Sequence, residues 1–417
     1  MATVAVDVLA ALIVLPALLA LLGPRINALR IRRSVHRPAT DEASGAWYRL
    51  ARSVMRRPLV YVAVITIALL ALGAPFLRIS WGGTDARTLP AASTVRQVSE
   101  TLDIQFPANS TAPIEALITL PGPAATPASS AALGGYLHRI EAIPGVTGAQ
   151  VTGVRGDVVR ADIGYAPATV SSAARHIVTE VRDVAPPPGA TVLVGGTTAG
   201  LVDELGSLGS TLPWMALLVG VSTFVLLFLA FGSMVLPVKA IVMNVLSLAA
   251  TFGVVVWIFQ WGHLSGLLRF TPTGSIDPTM PILMLAIIFG LSMDYEVFLL
   301  SRIRERYDQT GDPTASVASG LQRTGGLITS LALLLIIVVG AFSASGIAFI
   351  KLMGVGMIVA LIVDATVVRI LLVPATMRLL GRANWWAPRP LRGLYARYGI
   401  KEEDSPAPVR VPAGAES

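Results

Sequence analysis

Long apolar runs without a charged residue are the feature that most restricts the fold of this chain. A helix needs about 20 apolar residues to cross the hydrocarbon core of a bilayer. Four runs approach or exceed that length without a charge, and ionisable side chains interrupt two more. The uncharged runs are Leu59–Leu77, Leu212–Phe231, Ala240–Phe259 and Gly325–Ile350, and the interrupted runs are Thr279–Ser301 and Leu352–Leu380. The spacing of these runs predicts a polytopic α-helical membrane protein.

The N-terminal stretch Ala2–Leu22 is a seventh candidate span, although it contains Asp7 and Pro16. A cleaved signal peptide carries positive charge before its apolar run. Here no Lys or Arg precedes the run, and arginines follow it. A membrane helix is therefore favoured over a signal peptide, and the chain has six or seven predicted membrane helices.

The composition supports this fold class and excludes several others. Hydrophobic residues make up 54% of the 417 positions and charged residues 14%, whereas soluble proteins carry about 25% charged residues. These values exclude a disordered chain, a soluble nucleic-acid binder and a small secreted scaffold. Because the sequence has no cysteine, disulfides, thiolate metal sites and cysteine nucleophiles are excluded as well.

The loops between the apolar runs alternate in charge. Residues 23–58 hold nine arginines against two acidic residues. Residues 302–323 and the tail after Met377 are also basic, whereas residues 80–211 hold seven basic and eleven acidic residues. By the positive-inside rule, the basic loops and the C-terminus are predicted to be cytoplasmic and residues 80–211 extracytoplasmic.

These patterns divide the chain into six predicted regions. They are a membrane helix at 1–22, a basic cytoplasmic linker at 23–58, a membrane helix at 59–79, an extracytoplasmic domain at 80–211, a five-helix membrane bundle at 212–380 and a disordered cytoplasmic tail at 381–417.

The segment 80–211 has the pattern of a separate α+β domain. Short runs that alternate apolar and polar residues predict four strands, and two amphipathic stretches predict helices. The strands are Ile114–Leu120, Val146–Val154, Val158–Tyr165 and Thr191–Gly195, and the helices are Ala131–Ile143 and Ser171–Val184. The order βαββαβ predicts a ferredoxin-like domain. That fold hosts many functions, so an inert extracellular domain stays an alternative.

One segment occurs twice in the chain. Leu15–Gly23 and Val373–Gly381 share a Pro at the second position and end a span ahead of arginines. An aspartate precedes each proline, at Asp7 and Asp364. The repeat predicts two homologous halves, of which the first contributes only its last helix to this chain. Transporters built from repeats place the transport pathway between the halves.

Ionisable residues inside the spans are candidate functional groups, because charge at bilayer depth is unfavourable. Asp294 lies eight residues before Arg302, roughly 12 Å inside the end of its span. Asp294 and Glu296 lie about 200° apart on a helix, so one is expected to face the bundle and the other to face elsewhere. A carboxylate in an apolar setting can exchange a proton near neutral pH, and the hydroxyl of Tyr295 can hydrogen-bond to it. Proton coupling and a structural role, in which Asp294 pairs with Arg369 or with another helix, are both open from these residues alone.

The last span contains Asp364 and Arg369. Five residues correspond to an offset of about 140° on an α-helix, so each side chain is expected to meet a different helix. Arg369 could instead extend to the cytoplasmic interface. Asn244, a polar residue in another span, is expected to join two helices by a hydrogen bond.

Enzymatic alternatives find little support in the sequence. No HExxH motif, no intramembrane Ser–His pair and no phosphate-binding loop occurs, and no cofactor is indicated. An intramembrane aspartyl hydrolase would require Asp294 and Asp364 to meet. Without a phosphate-binding loop, an ion gradient is the expected energy source.

Five segments resemble the MmpL family, the mycobacterial membrane proteins large, within the resistance–nodulation–division superfamily. Phe289–Arg304 (FGLSMDYEVFLLSRIR) resembles the motif of that family's tenth helix. Phe231–Asn244 (FGSMVLPVKAIVMN) resembles the join between helices eight and nine, and Asp364–Trp386 resembles the twelfth helix and its exit. Residues 80–211 resemble the second porter domain in order and position, and residues 1–30 resemble the end of helix six.

The resemblance implies export of lipids or other hydrophobic molecules from the bacterial cytoplasmic membrane, driven by proton antiport. In the family, Asp–Tyr pairs on helices four and ten form a proton relay. The helix-ten pair corresponds to Asp294 and Tyr295, with Ser292, Glu296, Asp364 and Arg369 as supporting residues. Helices one to five, the first porter domain and the helix-four pair have no counterpart in this sequence.

The resulting hypothesis is a half-length transporter that moves a hydrophobic substrate and protons. It is expected to act with a second transporter half or as a homo-oligomer. The alternatives are a non-transporting assembly or sensor subunit with a periplasmic binding domain, and an inactive fragment.

Overall fold

The computed structural model describes residues 6, 9–23, 25, 45–106, 109 and 111–399. The chain divides into two compact units, Met1–Gly45 and Ala46–Ser417. In chain order, the helices are α1 Ala10–Leu22, α2 Ala46–Arg56, α3 Pro58–Arg78, α4 Thr94–Gln105, α5 Pro127–Glu141, α6 Ser172–Asp183, α7 Thr197–Phe231, α8 Val235–Gln260, α9 Thr279–Thr310, α10 Pro313–Ala344, α11 Ala348–Trp385 and α12 Arg389–Tyr398. The strands are β1 Ile114–Thr119, β2 Val146–Arg155, β3 Val158–Tyr165 and β4 Thr191–Gly195.

Six helices of the described residues are long and apolar enough to cross a membrane, namely α3, α7, α8, α9, α10 and α11. The predicted fold class, a polytopic helical membrane protein with an inserted α+β domain, is therefore confirmed. The predicted run Gly325–Ile350 is divided between two helices, because α10 ends at Ala344 and α11 begins at Ala348. The last span consequently begins four residues earlier than the predicted Leu352.

Helix α1 lies within the predicted span Ala2–Leu22. In the described residues it runs from Ala10 to Leu22, and residues 1–5, 7 and 8 lie outside them. Asp7 lies outside the described residues. Whether this stretch crosses a membrane stays a prediction.

The α+β domain comprises residues 114–195 and has the predicted order βαββαβ. Its sheet has the strand order β2-β3-β1-β4, and every neighbouring pair is antiparallel. Alternate residues of β1 and β3 are fully buried beneath α5 and α6, as the period-two pattern predicts. Gly156, at a φ of 66°, forms the tight turn between β2 and β3. Each predicted strand and helix of this domain lies within a few residues of its observed bounds.

The structure differs from the sequence prediction at one boundary and contains two helices that were not predicted. Helix α7 continues from the domain into the bundle without a break, across the predicted boundary at 211 and 212. Helix α4, before the first strand, lies in a stretch for which no element was predicted. In the basic linker 23–58, residues 46–56 form the amphipathic helix α2, which buries Ala51, Val54 and Met55.

The sequence predicted a disordered tail at 381–417, but part of this tail is helical. Residues 381–385 complete α11 in a tighter helical turn, and Arg389–Tyr398 form α12. The ring of Tyr395 packs edge-on against Phe228 of α7, with centroids 6.4 Å apart. Apolar and aromatic side chains therefore attach this part of the tail to the bundle, and residues 400–417 lie outside the described part.

The two copies of the internal repeat adopt the same local structure. Leu15–Leu22 and Val373–Leu380 are eight-residue α-helices with proline in the first turn. Each follows a π-helical segment, and each ends at a glycine with positive φ, 46° at Gly23 and 50° at Gly381. The sequence repeat is therefore a structural repeat within the described residues.

A close helix contact organises the bundle around α8. A Cβ built on Gly253 would lie 1.9 Å from the carbonyl oxygen of Leu72 on α3. Only glycine permits the two backbones to approach this closely, a common device where membrane helices cross. Helix α8 thus packs closely on α3, and both helices also contact α11.

A buried polar cluster between α8, α9 and α11

Polar side chains from three helices meet in the interior of the bundle. Asn244 of α8, Ser292 of α9, and Asp364 and Arg369 of α11 are each at most 4% exposed. Their neighbours along each helix are apolar. In a bundle surrounded by lipid, such groups must satisfy one another.

Asp364 and Arg369 form a direct ion pair on one helix. Arg369 Nε donates to Asp364 Oδ2 at 2.9 Å, and both side chains are almost fully buried. The prediction that residues five apart could not pair is wrong, because Val363–Leu372 is π-helical rather than α-helical. A π-helix bonds residue i to residue i+5, which places the two side chains on the same face. Because Arg369 bonds to Asp364 inside the bundle, its side chain does not extend to the cytoplasmic interface, which was the alternative prediction.

Ser292 lies at the centre of the cluster. Its hydroxyl is 2.9 Å from Asp364 Oδ1 and 2.5 Å from Asn244 Oδ1. Arg369 Nη2 lies 3.0 Å from the same hydroxyl and also donates to the Ser292 carbonyl oxygen. One hydroxyl therefore links α8, α9 and α11, and Asn244 joins two helices as predicted.

Tyr295 lies against the ion pair. Its ring centroid is 5.5 Å from the guanidinium carbon of Arg369, within the range of a cation–π contact. Its side chain is 8% exposed. Arg369 is thus enclosed by a carboxylate, a hydroxyl, a carbonyl and an aromatic ring, which together compensate its charge.

Asp294 lies outside this cluster. Its side chain is exposed on the surface of the bundle, whereas its neighbours Tyr295 and Glu296 are buried. Asp294 and Glu296 therefore face opposite sides of the helix, as predicted, and Glu296 faces the interior of the bundle. The structural alternative of an Asp294–Arg369 pair is wrong, because Arg369 pairs with Asp364.

Asp294 and Asp364 do not form a catalytic dyad. Asp364 is buried and bonded to Ser292 and Arg369, while Asp294 faces away from the cluster into the surroundings of the bundle. An aspartyl hydrolase needs two carboxylates that share one site. The geometry gives that hypothesis no support.

Two buried ionisable groups accompany the cluster without bonding to it. Glu296 is 4% exposed and its Oε1 has no hydrogen-bond partner in the described part of the chain. Lys239 of α8 is 8% exposed, and its Nζ also has no partner there. Lys239 was missed from the sequence because it lies just before the apolar run Ala240–Phe259. The structure starts α8 five residues earlier, at Val235, and so includes it.

The cluster provides a hydrogen-bonded path across three helices with an ion pair at its end. Such a network can hold or release a proton when a change in helix packing alters its partners. The exposed Asp294 lies two residues after Ser292 along the chain. The arrangement contains candidate proton carriers.

Six membrane-length helices, an inserted α+β domain and a buried ionic cluster in the described residues define a multi-pass membrane protein. The sequence matches the MMPL family over residues 1–61 and 107–409. The chain therefore belongs to the MMPL family, and family membership with six apolar helices indicates a multi-pass protein of the cytoplasmic membrane.

Three curated relatives illustrate this similarity. A putative membrane protein of Streptomyces coelicolor is 40% identical over 411 residues, covering 99% of this chain and 55% of that protein. The trehalose monomycolate exporter MmpL3 of Mycobacterium tuberculosis is 35% identical over 444 residues, covering 96% and 46%. The mycolic acid-containing lipids exporter MmpL11 of Mycolicibacterium smegmatis is 36% identical over 396 residues, covering 93% and 41%. The chain spans about half the length of the curated relatives that it matches.

Proposed function

We propose that this chain is part of a proton-driven exporter of lipids or other hydrophobic molecules across the bacterial cytoplasmic membrane. Two relatives are named as exporters of mycolic-acid lipids, which supports a transport function and a lipid-like substrate rather than an enzymatic reaction. The observation that carries the proton-driven part is the buried cluster around Ser292, Asp364 and Arg369. Ionisable groups at that depth are costly and typically serve transport.

Asp294 and Tyr295 are the proposed proton carriers, with Ser292, Glu296, Asp364 and Arg369 in support. Tyr295 connects the exposed Asp294 with the buried cluster, because its ring lies against Arg369 and its chain neighbour Asp294 faces outward. A proton on Asp294 alters the charge next to Tyr295, and the buried ion pair responds through Arg369. Movement of α9 against α11 is then the mechanical consequence.

The exposed position of Asp294 supports a second part of the proposal. A carboxylate on a lipid-facing helix surface is unfavourable, so this face is expected to pack against another protein surface. A second transporter half, in a partner chain or a second copy, would bury Asp294 and provide the matching polar groups. The active unit is accordingly two halves with the transport pathway between them.

The orientation follows from charge. Residues 302–323 and the C-terminal segment are basic and are placed on the cytoplasmic side, and the α+β domain is placed outside. In this orientation, the substrate leaves the bundle toward the α+β domain. The domain then acts as the porter domain.

The test uses the organism that carries the gene, so that any partner half is present. Cells with the wild-type chain, a deletion, Asp294→Asn or Tyr295→Phe are labelled with radioactive acetate, and labelled lipid at the cell surface is compared with total lipid. The two variants are expected to match the deletion, and a protonophore is expected to lower wild-type export equally. Asp203→Asn, a carboxylate change near the start of α7 where Asp203 bonds to Arg182 of the α+β domain, is the matched control and is expected to export normally.

Full export by Asp294→Asn and Tyr295→Phe would contradict proton coupling through this site. Equal surface lipid in wild-type and deletion cells would contradict lipid export itself and favour a sensor or assembly role. Membrane levels of each variant, measured by immunoblot, separate loss of coupling from loss of the protein.

A further inference from the structure

A groove runs along the outer surface of the bundle between α3, α8 and α11. Its volume is about 610 Å³, within the range of ligand pockets. Most of its lining is apolar, and Lys239 is the charged residue among the lining groups. The residues used below are Val62, Val242, Leu246, Thr376, Trp386 and Lys239.

Lys239 is the unusual member of this lining. Its side chain is only 8% exposed, yet its Nζ has no hydrogen-bond partner in the described part of the chain. Glu296 and Arg369 are the charged groups that act on it through space, and neither forms an ion pair with it. An ammonium group this buried requires partners.

The other buried lysine of the bundle shows how such a group is normally accommodated. Lys351 is 5% exposed, and its Nζ donates to the carbonyl oxygens of Leu268 and Arg269. Lys351 therefore has partners within the chain, whereas Lys239 borders a groove. Protein atoms cover Lys239 Nζ itself, and the flexible side chain borders the groove, so a partner in the groove is reached when the side chain extends into it.

The position of the groove along the membrane normal indicates the kind of occupant. Lys239 lies four residues after the start of α8 at Val235, roughly 6 Å along the helix. Trp386, which is 50% exposed, lines the same groove, and its carbonyl oxygen accepts a hydrogen bond from the backbone N–H of Met234, next to the start of α8. Tryptophan is enriched where headgroups meet acyl chains. The cation thus lies near headgroup level, and Val242 and Leu246 continue the groove toward the bilayer centre.

We propose that this groove binds an anionic phospholipid of the leaflet on the side of the arginine-rich loops. The lipid phosphate accepts hydrogen bonds from Lys239 Nζ, and one acyl chain lies along the apolar faces of α3 and α8. Charge complementarity selects an anionic over a zwitterionic headgroup, because the groove offers one cation. This site does not depend on the proposed export function, since it is defined by binding alone.

The test measures lipid retention by the purified, delipidated full-length chain. The protein is incubated with equal amounts of phosphatidylglycerol and phosphatidylcholine of identical acyl chains, and bound lipids are counted by native mass spectrometry. Wild type is expected to prefer phosphatidylglycerol by about tenfold, because the choline cation of phosphatidylcholine repels the Lys239 ammonium and phosphatidylglycerol carries no such cation. Lys239→Gln is expected to lose this preference, and Lys239→Arg is expected to restore most of it.

Arg382→Gln is the matched control, because Arg382 is an exposed cation on the same side of the bundle that does not line the groove. It is expected to keep the wild-type preference. Val242→Trp fills the groove and leaves Lys239 in place, and Val242 is 53% exposed, so this variant is expected to fold and to lose the bound lipid.

Two results would overturn the proposal. One is an unchanged preference for phosphatidylglycerol in Lys239→Gln, or in Val242→Trp where Lys239→Gln does not fold. The other is an equal loss in Arg382→Gln, which would assign the preference to the general basic surface. Neither result depends on export, so failure of this site leaves the proposed transport function unaffected.

Discussion

The α+β domain and the membrane bundle place their charges in opposite positions. The domain has an apolar core, in which Ile118, Ile163 and Val178 are fully buried. Its charges lie at the surface, as in the pair that Arg182 forms with Asp203 near the start of α7, in which the two side chains are 31% and 64% exposed. The bundle has an apolar surface, with Leu334 57% exposed, and buries an ion pair.

This difference follows from the solvent around each region. In water, burial of apolar groups stabilises a core and surface charges are well solvated. In a bilayer, lipid and core are equally apolar, so packing and buried polar contacts hold the helices together. A charged residue should therefore matter little in the domain and strongly in the bundle, and an apolar core residue should matter most in the domain.

The largest expected effect is in the bundle. Arg369→Met leaves Asp364 as a buried, uncompensated carboxylate, and removal of one partner of a buried pair typically costs about 3–5 kcal/mol. Unfolding of the purified protein by increasing SDS in mixed micelles measures this loss. The matched change Arg182→Met in the domain is expected to cost below about 1 kcal/mol. Equal losses from the two arginines would refute the comparison.

An apolar truncation should show the reverse sensitivity. Ile163→Ala removes a fully buried side chain of β3 and is expected to destabilise the domain by about 2–5 kcal/mol. Limited proteolysis of the full chain should then cleave within residues 114–195 first, while the bundle stays intact. Leu193→Ala, at a site that is 70% exposed, serves as control and should behave like wild type.

Close packing of membrane helices gives a third test. Gly253→Ala places a methyl group 1.9 Å from the Leu72 carbonyl oxygen, so α3 and α8 must separate, at a cost of about 1–3 kcal/mol. The thermal unfolding temperature in detergent should fall. Gly220→Ala on α7, where the added methyl group meets nothing within 4 Å, should keep or slightly raise it. A drop of the same size in both variants would show that helix propensity, rather than contact, is responsible.

The smallest expected effect concerns pH and the domain surface. Hydrogen bonds from Arg182 hold the pKa of Asp203 below its usual range. A lowered carboxyl pKa stabilises the fold above the unfolded-state value of about 4, and the contribution disappears as pH falls through the folded-state pKa. Because the pair is exposed, less than about 1 kcal/mol is involved. Thermal unfolding of wild type and Asp203→Asn should differ slightly at neutral pH and converge in acid; a constant difference would contradict the assignment.

The sequence predicted the domain better than it predicted the candidate site. Strands such as Val158–Tyr165 follow from a period-two pattern, and the βαββαβ order limits how they can pair. The opposite directions of Asp294 and Glu296 were also predictable, since they depend only on helix geometry. The Asp364–Arg369 pair was not, because an ideal α-helix was assumed where the chain is π-helical. Lys239 was not predicted because the uncharged run begins at Ala240, whereas the helix begins at Val235.

By itself, the sequence determined the fold class, the six membrane helices, the domain inserted between them and the internal repeat. Each depends on a local pattern of apolar and polar residues, and such patterns act through the solvent alone. Tertiary structure decided that Ser292 joins three helices, that Arg369 bonds Asp364 rather than Asp294, and that Lys239 borders a groove. The hydrogen bonds of the cluster link residues up to 77 positions apart. They depend on how helices pack and where a helix widens by one residue per turn, and no local pattern encodes that.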